Sequence, residues 1–217
     1  MLAGLFLLVC IAGADSGPVW PIPSDLWEPS HSSIPREGNF VYLNSQPGDL
    51  IGQGLNYSYT PLNAVFSLSR TYGLLQVSVK GNEQWIGNFA GMYSLWELER
   101  GYYGGLEMYP FYNESVGGLS WYENGGNGQN CDSITGWFAV DKVTYTGGNL
   151  TFISLRFEQH CYGGSPALRG ALRWDIHDHQ KPHVPTKPPK GLWTPPKAVV
   201  SSGNYLYLES HTAPQIP

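Results

Sequence analysis

The chain is poor in charge, in cysteine and in helical pattern. Asp, Glu, Lys and Arg make up 13% of its 217 residues, about half the usual share. Lys and Arg number 12 against 17 Asp and Glu, for a formal net charge of −5. That balance argues against a nucleic-acid partner, which calls for a basic face. No segment sustains a 3.6-residue apolar period, so long amphipathic helices are not expected. The longest apolar run covers residues 1–14, too short to span a bilayer as a helix.

That run ends in Ala12-Gly13-Ala14, a small-x-small cleavage pattern, and is read as a signal peptide removed before Asp15. No basic residue precedes it, which departs from the usual form. The expected location is therefore secreted and extracellular, with no membrane span. Of three cysteines, Cys10 leaves with the leader. Cys131 and Cys161 remain, and an even pair in an oxidising compartment predicts one disulfide. A metal site from two isolated cysteines is disfavoured, because close Cys-x-x-Cys spacing is absent. Asn56-Tyr57-Ser58, Asn113-Glu114-Ser115 and Asn149-Leu150-Thr151 are glycosylation sequons, which belong on exposed surface in a eukaryotic secretory pathway.

What the chain does have is glycine, tyrosine and tryptophan, with 27, 14 and 8 copies, a composition that favours strands. Residues 15–37 carry five prolines and read as an extended lead-in. Short alternating runs follow: Phe40 to Leu43, Val65 to Ser69, Leu75 to Lys80, Trp85 to Phe89, Tyr93 to Leu98 and, more weakly, Met108 to Tyr112. Gly101, Gly104, Gly105, Gly117 and Gly118 read as punctuation. The clearest segment is Gly136 to Cys161, two apolar-patterned arms around Gly147-Gly148, with changes of phase that leave room for a bulge. Folding that hairpin brings Cys131 and Cys161 to its open end. A last strand, Ala167 to Trp174, sets Leu168, Leu172 and Trp174 against Arg169 and Arg173. Eight to ten strands at this spacing predict an all-β, antiparallel β-sandwich of jelly-roll or immunoglobulin-like type over residues 38–178.

Residues 179–202 are rich in proline and lysine and read as a semi-rigid linker. Beyond it, Gly203 to Ser210 repeats Gly38 to Ser45, and Leu192-Trp193-Thr194-Pro195 repeats Leu26-Trp27-Glu28-Pro29. Residues 203–217 are thus expected to be the truncated start of a second copy. One strand of a sheet is not stable alone, so Tyr205 to Leu208 should pack poorly or lie apart from the first module.

The stretch Pro47-Gly48-Asp49-Leu50-Ile51-Gly52-Gln53-Gly54, with Arg156 to Gly164 and Ala167-Leu168-Arg169-Gly170, resembles an uncharacterised secreted β-sandwich module common in bacterial extracellular proteins, often in tandem. The resemblance covers about residues 38–175. Family members commonly carry Glu where this chain has Tyr162. It implies the fold and no activity.

Four constellations carry candidate chemistry. Glu158 and His160 share a strand face beside Cys161, an acid/base pair or, on the plainer reading, a polar cluster that pins the disulfide corner with Arg156, Arg169 or Arg173. Glu97 and Glu99 share a face, with Glu107 nearby, as paired carboxylates of a glycoside hydrolase would or as solvated surface. Asp175, His177 and His179, with Asp178 and His183, offer Zn ligands, or a solvated tail. Asp49, Asp132 and Asp141 lie near loops that suit Ca, or ordinary Asx turns. Tyr102, Tyr103 and Tyr122 sit in glycine-rich stretches and are the aromatics expected at the surface, where rings stack on sugars. The leading reading is a secreted non-enzymatic module for adhesion, matrix assembly or glycan binding, needing no cofactor, with an extracellular polysaccharide or matrix protein as partner. A carbohydrate-active hydrolase and a structural glycoprotein of a secreted or mineralised matrix are the alternatives.

Overall fold

The computed structural model describes residues 21–125, 130–182, 189–194 and 206–209. The chain divides into two units, Met1–Pro182 and His183–Pro217. Among the described residues there is no helix. The first unit holds ten strands: β1 (Phe40–Ser45), β2 (Asn56–Tyr59), β3 (Val65–Thr71), β4 (Leu74–Lys80), β5 (Gln84–Ala90), β6 (Gly101–Met108), β7 (Gly118–Glu123), β8 (Ile134–Thr146), β9 (Asn149–Cys161) and β10 (Ala167–Asp175). They join in the order β2-β1-β10-β9-β8-β6-β7-β5-β4-β3.

The all-β expectation holds, but the sheet is mixed. β6 and β7 run parallel, with Glu107 opposite Gly118 and Met108 opposite Leu119. The cause is the connection through residues 109–117, which returns the chain to the end of β6 rather than reversing it in a hairpin.

The sheet is also curled. Flat, β7 and β9 would stand about 14 Å apart, three strand spacings. Instead the Trp121 ring stacks on Phe157 with centroids 5.1 Å apart, and Phe89 on β5 meets Phe138 and Phe157, each at 5.5 Å. The buried Gln159 side chain closes the same gap. Its Oε1 accepts from the Trp121 N–H at 2.8 Å, and its Nε2 donates to the Trp121 carbonyl at 2.7 Å. Large aromatics therefore fill the interior of the curl, and a side chain at Gly87 would collide with the Trp121 ring.

The β8–β9 hairpin turns at Gly147 and Gly148, both at positive φ, with register shifts between Val140 and Lys142 and between Thr144 and Tyr145. Cys131 and Cys161 are bonded, their Cα atoms 5.6 Å apart. On β10, Leu168 and Leu172 are buried while Arg169 and Arg173 face the other way and stay partly accessible.

Two expected strands are absent. Residues 93–98 are loop, and 109–112 turn away beyond Met108. Three strands were not expected: β2, which is four residues long and largely exposed, β6, read as glycine-punctuated loop, and β7, which begins at Gly118. The glycines at 101, 104 and 105 lie within β6, whose register shifts between Tyr103 and Leu106.

In the second unit, Trp193 stacks on Tyr207 at 6.0 Å, and Leu206 and Leu208 are exposed. Residues 206–209 carry no strand. The rest of Gly203 to Ser210, the expected leader 1–14 and His183 lie outside the described residues.

Candidate functional site

Strand alternation sorts the side chains of β3, β4, β5 and β7 into two faces. Leu75, Val77, Trp85, Phe89, Leu119 and Trp121 turn into the core. The opposite face is set by register: Ser69 pairs with Gln76, Gln76 with Asn88 and Asn88 with Ser120. Beside that row, Ser67 pairs with Ser78, Ser78 with Ile86 and Ile86 with Tyr122. The two rows carry amides and hydroxyls around Ile86, and Lys80 stands on the same face at the end of β4.

The first row is hydrogen-bonded across strands. Gln76 Nε2 donates to Asn88 Oδ1 at 2.9 Å, and Asn88 Nδ2 donates to Ser120 Oγ at 2.9 Å. Asn88 and Ser120 are 4% and 7% exposed and lie in a groove of about 290 Å³ whose other walls include Tyr109, Phe111 and Tyr122. The Tyr109–Pro110 peptide is cis, Tyr109 stacks near Tyr112 at 5.9 Å, and Phe111 stays exposed. No acidic or basic side chain is among the described residues lining the groove.

Of the three tyrosines expected at the surface, Tyr122 lines this groove. Tyr102 is half-buried beside Trp137 at 6.1 Å. Tyr103 is a correction: it is 3% exposed. Its ring stacks on Phe138 at 4.4 Å, and its hydroxyl donates to the Glu99 carbonyl and accepts from the Glu99 N–H. Burial pushes its phenol up to about 12.

The carboxylates expected to pair do not gather. Glu97 bonds Arg70 at 3.4 Å, Glu107 lines a separate hollow with Ser133 and Thr135, and Glu99 lies in the 91–100 loop. Glu158 bonds Arg169 at 2.5 Å and His160 at 3.1 Å. Burial pushes the Glu158 carboxyl up, but the bonds and charges of Arg169 and His160 outweigh it and hold it below its ordinary value.

Asp49 is buried and accepts from the Ser45 hydroxyl and the Ile51 and Gly52 N–H groups. Asp132 faces the Tyr162 hydroxyl at 3.4 Å, and Asp141 holds Arg156 with two hydrogen bonds. Asp175 accepts from the His177 N–H, while the His177 and His179 side chains are exposed. Among the described residues no three His, Cys, Asp or Glu converge as metal ligands. Asn56, Asn113 and Asn149 are all exposed.

Gln76, Asn88 and Ser120 were not singled out from the sequence. The available signal was partial: Gln76 and Ser78 alternate with apolar residues on β4, while Ser120 lies on the unexpected β7. No family model, curated protein or solved structure matches the chain.

Proposed function

We propose that the chain is a secreted, non-enzymatic β-sandwich module that binds a neutral glycan in the groove over β4, β5 and β7. The observation that carries this reading is the Gln76–Asn88–Ser120 row beneath Tyr109, Phe111 and Tyr122. Amides and hydroxyls both donate and accept, which matches the mixed hydrogen bonding of sugar hydroxyls. Aromatic rings supply apolar faces for the C–H side of a pyranose. The lack of charged side chains among the described lining residues favours a neutral polysaccharide over a uronate or sulfated one.

The cross-strand contacts of Phe89, Trp121 and Gln159 support packing of the two halves of the sheet as a sandwich. The Cys131–Cys161 disulfide and the short apolar leader support secretion. Among the described residues no helix is long and apolar enough to cross a membrane.

A glycan array and pull-down on insoluble polysaccharides test the reading. Binding of a neutral glycan is expected, weakened about tenfold or more by Ser120→Ala or Tyr122→Ala, a loss of about 1.4 kcal/mol each. Blank results in both assays end it.

A further inference from the structure

A second cavity, of about 430 Å³, is lined in part by Gln53, Tyr57, Asn82, Glu83, Glu123 and Gly125. In contrast to the neutral groove it holds two carboxylates, each placed by a specific device. Glu83 lies at the β4–β5 turn. The Trp85 indole N–H donates to the Tyr59 hydroxyl at 2.8 Å, and Tyr59 donates to the Glu83 carboxylate. Trp85 and Tyr59 are 1% and 4% exposed, so a buried donor chain orients Glu83. Glu123 stands opposite Trp85 in the β5–β7 register, and a side chain at Gly125 would collide with its carboxylate.

Burial raises the Tyr57 phenol above its ordinary value, and Glu83, Asp49 and Glu123 raise it further, which places both cavity carboxylates within electrostatic reach of the same ring. Tyr57 is itself fixed edge-on to Trp85 at 4.9 Å. Among the described residues, neither Glu83 nor Glu123 forms an ion pair. The cavity therefore presents negative potential that no described residue neutralises by an ion pair, and such a cleft draws cations.

A metal is the poorer occupant, because two carboxylates fall short of a calcium shell of six to eight oxygens and no third acidic or histidine ligand joins them among the described residues. Gln53, Asn82 and Gln84 with the Tyr57 hydroxyl instead match a cation that carries hydroxyls. We propose that this cavity binds a protonated amino sugar, its ammonium paired with Glu83 and Glu123 and its hydroxyls with the surrounding amides. The site is independent of the neutral groove.

Isothermal titration of the intact chain at low salt and about pH 6, where carboxylates and sugar amines are both charged, provides the test. The probes are a glucosamine hexasaccharide and its N-acetylated counterpart, which lacks the charge. The glucosamine oligomer should bind about tenfold or more tighter, and added salt should weaken it. Glu123→Gln should cost about tenfold or more with an unchanged melting temperature. Since Glu83→Gln disturbs the Tyr59 bond, Gln53→Ala at the exposed rim serves as the second variant and should also weaken binding. Equal affinity for the two oligomers, full affinity in Glu123→Gln, competition by calcium chloride at comparable affinity, or cleavage of the oligomer overturns the proposal. Failure of the groove reading shows separately, in neutral-glycan binding by Ser120→Ala and Tyr122→Ala.

Discussion

Gln159 is 1% exposed, and both ends of its amide are committed to the backbone of Trp121. Replacing it with leucine keeps the apolar volume but leaves a buried N–H and carbonyl without partners. Each such group costs about 1–3 kcal/mol, so Gln159→Leu should lower stability by about 2–5 kcal/mol in urea denaturation. Glu158 acts through charge. Its folded carboxyl is held below its ordinary value, so its contribution is present above the unfolded value of about 4.3 and is lost as pH falls through the lower folded value. Unfolding curves across the acid range should show wild type losing more stability on acidification than Glu158→Gln. Parallel acid limbs would assign the Arg169 and His160 bonds no net effect.

At the scale of elements, the hairpin was legible because its two arms are long, carry regular apolar positions and flank a Gly-Gly pair with the φ freedom the turn requires. The disulfide followed from the same symmetry. Reducing the Cys131–Cys161 bond, which spans 30 residues, should remove roughly 3–4 kcal/mol and lower the melting temperature by about 6–16 °C. Scanning calorimetry with and without reductant measures this.

β7 was hidden because its first residue is Gly118 and its partner on one side is parallel, so no hairpin signal announces it. Residues 93–98 misled in the opposite sense. Tyr93-Ser94-Leu95 and Trp96-Glu97-Leu98 alternate apolar and polar residues as a strand would, yet Leu95 and Leu98 pack on the core from a loop while Tyr93 and Trp96 stay exposed, so residues two apart do not share a face. The groove shared the fate of β7. Asn88 and Ser120 become neighbours only through the β5–β7 pairing, a contact made across 32 residues of sequence.

For the whole molecule, the lead-in is part of the fold's support. Arg156 is 9% exposed. Beyond its bidentate pair with Asp141, it donates to the Trp27 carbonyl at 2.9 Å and pairs with Glu28 at 3.1 Å. Arg173 donates to the carbonyls of Gly38 and Arg36 at 2.6 and 2.8 Å and lies over the Phe40 ring at 5.1 Å. The boundary read from the repeat at Gly38 therefore cuts through contacts the sheet uses. Glu28 is 70% exposed, so its charge adds little. The carbonyl partners matter more, because without them a guanidinium donor faces a partly dry surface. A chain beginning at Gly38 should be destabilised by about 1–3 kcal/mol, while Glu28→Gln in the full chain should cost less than about 1 kcal/mol. Urea denaturation of both variants separates these contributions. If the shortened chain matches wild type, the lead-in rests on the sheet without supporting it, and the repeat boundary is also the folding boundary.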